Sequence, residues 1–120
     1  MIPNWVSYSW MKVFFFETPA GNSPIKKFID DLSSSDQARF FEVIDEIERH
    51  GLSASRLIFK PLEGKLWEIK FNTASAGYRV LYVMVEKDLM IWLHSFVKRT
   101  QKTPKQDLDL ARKRLKEVLR

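Results

Sequence analysis

The chain has 120 residues, of which 45% are hydrophobic, and it carries a formal net charge of +5. This length is typical of one domain with one buried core. The absence of cysteine excludes disulfides, thiolate metal sites and a cysteine nucleophile. It also fits a reducing cytoplasm, where we expect the protein to act, since no apolar run approaches a membrane span and no signal peptide is recognisable.

The first half of the chain predicts a strand followed by two helices. Residues 12–16 (KVFFF) are aromatic and β-branched, which favours a strand. Residues 23–24 (Ser-Pro) are typical of an N-cap and a first helical position, and residues 25–32 continue with apolar side chains at helical spacing. Ser34 resembles a second N-cap, and Gly51 marks the end of the helix that follows it.

The second half predicts a sheet and a final helix. Apolar and polar side chains alternate over residues 67–71, which is typical of a half-buried strand. Residues 78–85 are almost continuously apolar and indicate a central strand, residues 89–96 form the next strand, and residues 57–60 are a short edge strand. Thr103-Pro104 begins a C-terminal helix that turns an apolar stripe toward the core.

These elements predict an α+β fold with a small, mostly antiparallel twisted sheet, an N-terminal helical hairpin and a C-terminal helix. Residues 1–10 show no clear periodicity. We therefore expect residues 1–10 to be an N-terminal extension ahead of a single domain over residues 11–120.

Positive charge is concentrated at the C-terminal end of the chain. Residues 98–120 contain nine Lys and Arg but only three Asp and Glu, whereas the rest of the chain is nearly neutral. Such a concentration favours a polyanionic partner. A solvated basic helix is an equally good interpretation of the charge alone.

Three isolated residues stand out as candidates for chemistry. Arg79 interrupts an apolar strand, so it either faces a site or forms a salt bridge with Glu68 or Glu63. His94 lies near the end of a predicted strand, where a structural histidine is the alternative to a catalytic one. His50 precedes a helix stop and is expected to interact with the helix end.

Three stretches of the sequence resemble a known family. They are residues 60–70 (KPL and LWEIK), residues 77–82 (GYRVLY) and residues 94–104 (HSFVKRTQKTP). They are similar to the phage-derived branch of the RelE/HigB toxin superfamily, and the similarity extends back to Met11. The resemblance implies a RelE-like fold, cleavage of mRNA on the ribosome, and neutralisation by a helix-turn-helix antitoxin.

The resemblance also implies a set of catalytic residues. Lys70 and Arg79 match basic strand positions that act on the scissile phosphate, and Lys98 or Arg99 matches the basic position after the last strand. Arginine suits bidentate contact with phosphate oxygens, while a lysine or His94 is a candidate for proton transfer. This chemistry needs no metal ion, and no metal or other cofactor is expected.

Further residues extend or depart from this pattern. We expect Lys65, Lys102 and Lys105 to contact the RNA backbone. Glu68 stands where RelE itself has a basic residue, and Leu108 stands where RelE has a catalytic tyrosine. A non-catalytic RNA- or DNA-binding module and a phage-derived assembly protein are therefore alternatives to the endoribonuclease.

Overall fold

The computed structural model describes residues 11–120, so the expectation for residues 1–10 lies outside the described part of the chain. Five strands and three helices follow one another within it. They are β1 (Lys12–Phe15), α1 (Pro24–Asp30), α2 (Ser34–His50), β2 (Ile58–Glu63), β3 (Leu66–Asn72), β4 (Gly77–Glu86), β5 (Leu89–Val97) and α3 (Lys105–Val118). None of these helices is long and apolar enough to cross a membrane.

The strands form one mixed sheet in the order β1-β5-β4-β3-β2. The four strands from β2 to β5 pair antiparallel through short turns, whereas β1 pairs parallel with β5. The parallel pair is possible because α1 and α2 separate β1 from the rest of the sheet along the chain, and parallel neighbours need such a crossover. The predicted α+β fold, with a mostly antiparallel sheet, a helical hairpin and a C-terminal helix, is confirmed.

The hairpin of α1 and α2 covers one face of the sheet with an aromatic core. Phe40 of α2 is fully buried at its centre. Its ring lies 4.9 Å from Phe71 and 5.0 Å from Tyr78, centroid to centroid, and both contacts are edge-to-face. Aromatic pairs with this geometry contribute beyond their buried area, so this cluster fixes how α2 sits on β3 and β4.

The other face of the sheet packs against α3. Ala111 is the fully buried residue of this helix, and it lies in a second core with Leu81 and Leu93. Because strand side chains alternate between faces, the residues of β4 that share a face with Leu81 include Arg79. At the edge of the sheet, Arg112 of α3 donates two hydrogen bonds, of 2.6 and 2.8 Å, to the carboxylate of Glu63.

Several element boundaries differ from the sequence-based prediction by one or more residues, and three of these differences have an identifiable physical cause. The hydroxyl of Ser33, rather than Ser34, caps α2 by accepting a hydrogen bond from the backbone N–H of Asp36. Pro104 is the N-cap of α3, and no side chain caps that helix. The edge strand β2 continues through Pro61, where a missing N–H on the outer edge of a sheet breaks no ladder hydrogen bond.

Candidate nucleic-acid interface

Basic side chains are brought together on the α3 face of the sheet by strand register. Lys60 of β2 lies opposite Glu68 of β3, and Lys70 of β3 lies opposite Arg79 of β4, which in turn pairs with Phe96 of β5. Residues two apart on a strand share a face, so these positions form two adjacent rows across the sheet. Lys60 is exposed and Lys70 is half-buried, whereas Arg79 is buried.

The segment of residues 98–104, here called the basic loop, connects β5 to α3 and lies over Arg79. The Arg79 Nη2 donates a hydrogen bond of 3.0 Å to the carbonyl oxygen of Thr100 and another to that of Gln101. Its Nη1 donates a longer bond, of 3.4 Å, to the hydroxyl oxygen of Thr103. One side chain of the central strand therefore holds the basic loop at three points.

Glu68 completes this network from the neighbouring strand. Its Oε2 accepts a hydrogen bond of 2.8 Å from the Thr103 hydroxyl, and its Oε1 lies 3.7 Å from the Arg79 Nε. Both charged side chains are only 2% exposed. The sequence predicts either Glu68 or Glu63 as a salt-bridge partner of Arg79. The structure contains the salt bridge with Glu68, and Glu63 binds Arg112 instead.

Two adjoining clefts flank the basic loop and carry exposed or half-buried cations. The first, of about 300 Å³, has Lys60 on one wall and Lys102 on the other. The second, of about 410 Å³, contains Lys98 and Arg99. Gln101 lines both clefts, so they adjoin at the loop. The first cleft also includes the carboxylates of Glu63 and Glu68, which are paired with Arg112 and Arg79.

Gly77, the first residue of β4, lines the second cleft beside Asn72 and Lys98. A Cβ atom at this position would lie 3.0 Å from the side-chain oxygen of Asn72 and 3.6 Å from the Cβ of Lys98. The first of these distances is shorter than ordinary van der Waals contact. A larger residue would therefore have to displace the Asn72 side chain, which lines the same cleft, whereas its distance to Lys98 at the start of the basic loop would be ordinary van der Waals contact.

His94 is occupied by a contact with α3 rather than placed in either cleft. Its Nε2 lies 2.6 Å from Asp107 Oδ1, and its ring stacks on Phe96. Burial lowers the pKa of His94, and the hydrogen bond with Asp107 only partly opposes that shift. His50 is exposed in the last turn of α2, and its expected interaction with the helix end stays a prediction.

The predicted RNA-binding lysines lie in different places. Lys102 lines the first cleft. Lys105 is exposed in the first turn of α3 and binds Asp109 at 2.7 Å. Lys65 lies in the turn before β3, about 17 Å along the strand from Lys70 at roughly 3.3 Å per residue. The structure therefore brings Lys102 to the clefts but leaves Lys65 at the far end of the sheet.

Sequence reasoning did not select several residues that build this site. Lys60, Gln101 and Thr103 line the first cleft, as does Glu68, which the sequence indicates only as a possible salt-bridge partner of Arg79. The alternation of β2 and β3 places Lys60 and Glu68 on the α3 face once the strand pairing is known. Within residues 11–120, no group of three or more His, Asp and Glu side chains is placed to hold a metal ion.

The fold and the clefts define a class, namely a small α+β domain whose C-terminal helix and basic loop cover one face of a mostly antiparallel sheet. The family described as phage derived protein Gp49-like (DUF891) matches residues 27–116, from α1 to the last turns of α3. The chain belongs to this family. No curated protein matches the chain with a significant score.

Proposed function

We propose that this protein is the toxin of a type II toxin–antitoxin system, of the RelE/HigB kind, and that it cleaves mRNA on the ribosome without a metal ion. The observation that supports this most directly is the convergence of Lys60, Lys98, Arg99 and Lys102 on the adjoining clefts around the basic loop. Membership of the phage-derived Gp49-like family is compatible with a toxin.

The geometry suggests separate roles for the cations. Arg99 is exposed, and its planar guanidinium suits two hydrogen bonds to the non-bridging oxygens of a phosphate. Lys98 lines the same cleft and is a candidate to stabilise charge or transfer a proton during attack by the 2′-hydroxyl. Lys70 lies opposite Arg79 on the same face of the sheet but lines neither cleft, so its catalytic role stays a prediction. The ribosome would hold the mRNA in line for this attack.

Two of the predicted catalytic residues have other partners in this conformation. The Arg79 guanidinium binds the basic loop and is buried, so direct phosphate contact would require it to leave these partners. The Nε2 of His94 is engaged by Asp107. Catalytic roles for Arg79 and His94 remain predictions, and Arg99 and Lys98 are the residues that we place first.

The test is to incubate purified protein with translating ribosomes and to map new mRNA 5′ ends. We expect cleavage by the wild type and at least a tenfold loss of rate for Arg99→Ala, in line with loss of a charged transition-state contact. Lys87→Ala is a matched control, because Lys87 is an exposed cation in the turn at the opposite end of β5. Equal losses for both variants, or no new 5′ ends at all, would contradict the proposal.

A second candidate function is RNA binding without cleavage. Leu108 lines the first cleft, and neither cleft includes a histidine or tyrosine among the described lining residues. Such a site has phosphate-binding cations but few conventional groups for proton transfer. RNA that is bound with strong salt dependence but remains intact on ribosomes would favour this function over the endoribonuclease.

A further inference from the structure

We propose that Glu68, Arg79 and Thr103 form a positioning clamp, which holds the basic loop against the sheet so that its cations stay in the two clefts. This inference rests on the proposed function, because it assigns these residues to the organisation of the RNA-binding surface. The three side chains bind one another or the loop, and none needs to touch RNA.

The hydrogen bonds of Arg79 are the first argument for the clamp. Most of its donors are directed at the basic loop, to the carbonyl oxygens of Thr100 and Gln101 and to the Thr103 hydroxyl. The N–H donors of arginine lie in one rigid plane, so they can reach three separate acceptors of the loop at once. A lysine ammonium is a compact charge and has no such fixed plane of donors. The backbone of the loop is therefore fixed to the central strand β4.

The position of Thr103 is the second argument. Its hydroxyl accepts from Arg79 and donates to Glu68, so it links both charged residues to the end of the basic loop. A threonine before Pro104 at the start of a helix would ordinarily serve as a cap, but no side chain caps α3. The hydroxyl is thus used for the clamp instead of for the helix.

The sign of the charge on Glu68 is the third argument. A carboxylate at the floor of a cationic cleft weakens the attraction of the surface for a polyanion. A buried ion pair is also weak evidence for stability, since apolar residues of similar volume often serve as well. A role in holding the loop explains why a negative charge is present at this place.

The clamp is tested first on the loop itself, with no RNA present. Thr103→Val keeps the shape of the side chain but removes the hydroxyl, and Thr103→Ser restores it. Trypsin cleaves after Lys98, Arg99 and Lys102, so the rate of cutting within the basic loop reports its opening. We expect cutting of Thr103→Val to be roughly three- to tenfold faster, as for a segment that loses its hydrogen bonds, with Thr103→Ser close to the wild type.

The second test measures cleavage of mRNA on ribosomes by the same full-length variants and by Glu68→Leu. Simple electrostatics predicts that loss of the Glu68 charge strengthens RNA binding and raises activity. The clamp predicts the opposite, a fall of about tenfold or more from a misplaced loop. Glu68→Leu leaves Arg79 buried without its ionic partner. If that variant does not fold, the result for Thr103→Val alone decides the test.

The outcomes separate the clamp from the proposed function. Unchanged trypsin cutting in Thr103→Val overturns the clamp, whether or not the protein cleaves RNA. Faster cutting with unchanged RNA cleavage also overturns it, because the loop would then open without effect on the site. Faster cutting in a protein whose wild type never cleaves RNA would support the clamp as a holder of the loop and contradict the endoribonuclease.

Discussion

His94 connects the last strand to the C-terminal helix through its contact with Asp107. Because burial lowers the pKa of His94 below 6.5, the folded state favours the neutral ring, which donates its Nε2 proton to the carboxylate. The nearby guanidinium of Arg114 shifts the pKa in the same direction. Acidification therefore favours the unfolded state, which binds the proton first.

We expect the free energy of unfolding to fall as the pH is lowered from about 7.5 to about 5.5. The loss should begin near the unfolded pKa of His94 and continue toward its lower folded value. The lowered pKa values of Asp36, Glu63 and Asp109 have little effect in this range, because these carboxylates titrate at lower pH. Urea unfolding at several pH values measures the slope, and His94→Gln should reduce it. A steeper loss in His94→Gln would contradict this assignment.

Arg79 shows how far a sequence alone defines a residue. A cation within an apolar strand is recognisable from the pattern, and so is its need for a partner. The choice between Glu68 and Glu63 depends on strand register and on Arg112, which occupies Glu63. The carbonyl groups of the basic loop carry no sequence signal, because every residue has one. The clamp could therefore be identified only from the fold.

At the scale of elements, apolar periodicity predicts the helices and the central strands well. The same information does not specify the direction in which β1 pairs, since β1 has only four residues and its partner β5 lies far along the chain. The start of α3 differs from the prediction for another reason, because the Thr103 hydroxyl donates a hydrogen bond to Glu68 and does not cap the helix. Local signals fail at the places where long-range contacts compete with them.

The packing of α2 on the sheet provides a prediction at this scale. Phe40 is fully buried and contacts aromatic rings from β3, β4, β5 and α1. We expect Phe40→Ala to lower the free energy of unfolding by about 3–5 kcal/mol, through lost burial and the cavity that remains. Chemical denaturation measures this loss. Phe41→Ala is the matched control, because Phe41 is 56% exposed on the same helix and should change stability by less than about 1 kcal/mol.

At the scale of the whole molecule, the two faces of the sheet differ in what they carry. The hairpin of α1 and α2 covers one face of the sheet, while the cationic clefts lie on the other face beside α3. This arrangement separates the aromatic core, which stabilises the fold, from the loop that presents Lys98, Arg99 and Lys102. Substitution of these exposed or half-buried side chains should therefore leave the larger core intact.

An endoribonuclease of the proposed kind must be restrained in its host, so we predict a tight complex with a helix-turn-helix antitoxin encoded beside it. The cationic clefts and the basic helix α3 offer a target for an acidic or amphipathic segment of that partner. Because the attraction is between opposite charges, the association rate should fall as the salt concentration rises.

Co-expression with the products of the neighbouring small genes, followed by affinity capture, identifies the partner, and rapid mixing measures the rate. Lys98→Glu should slow association more than Lys87→Glu, whereas equal effects would place the antitoxin elsewhere. High expression of the chain alone without slower growth would argue against a toxin and favour the RNA-binding module.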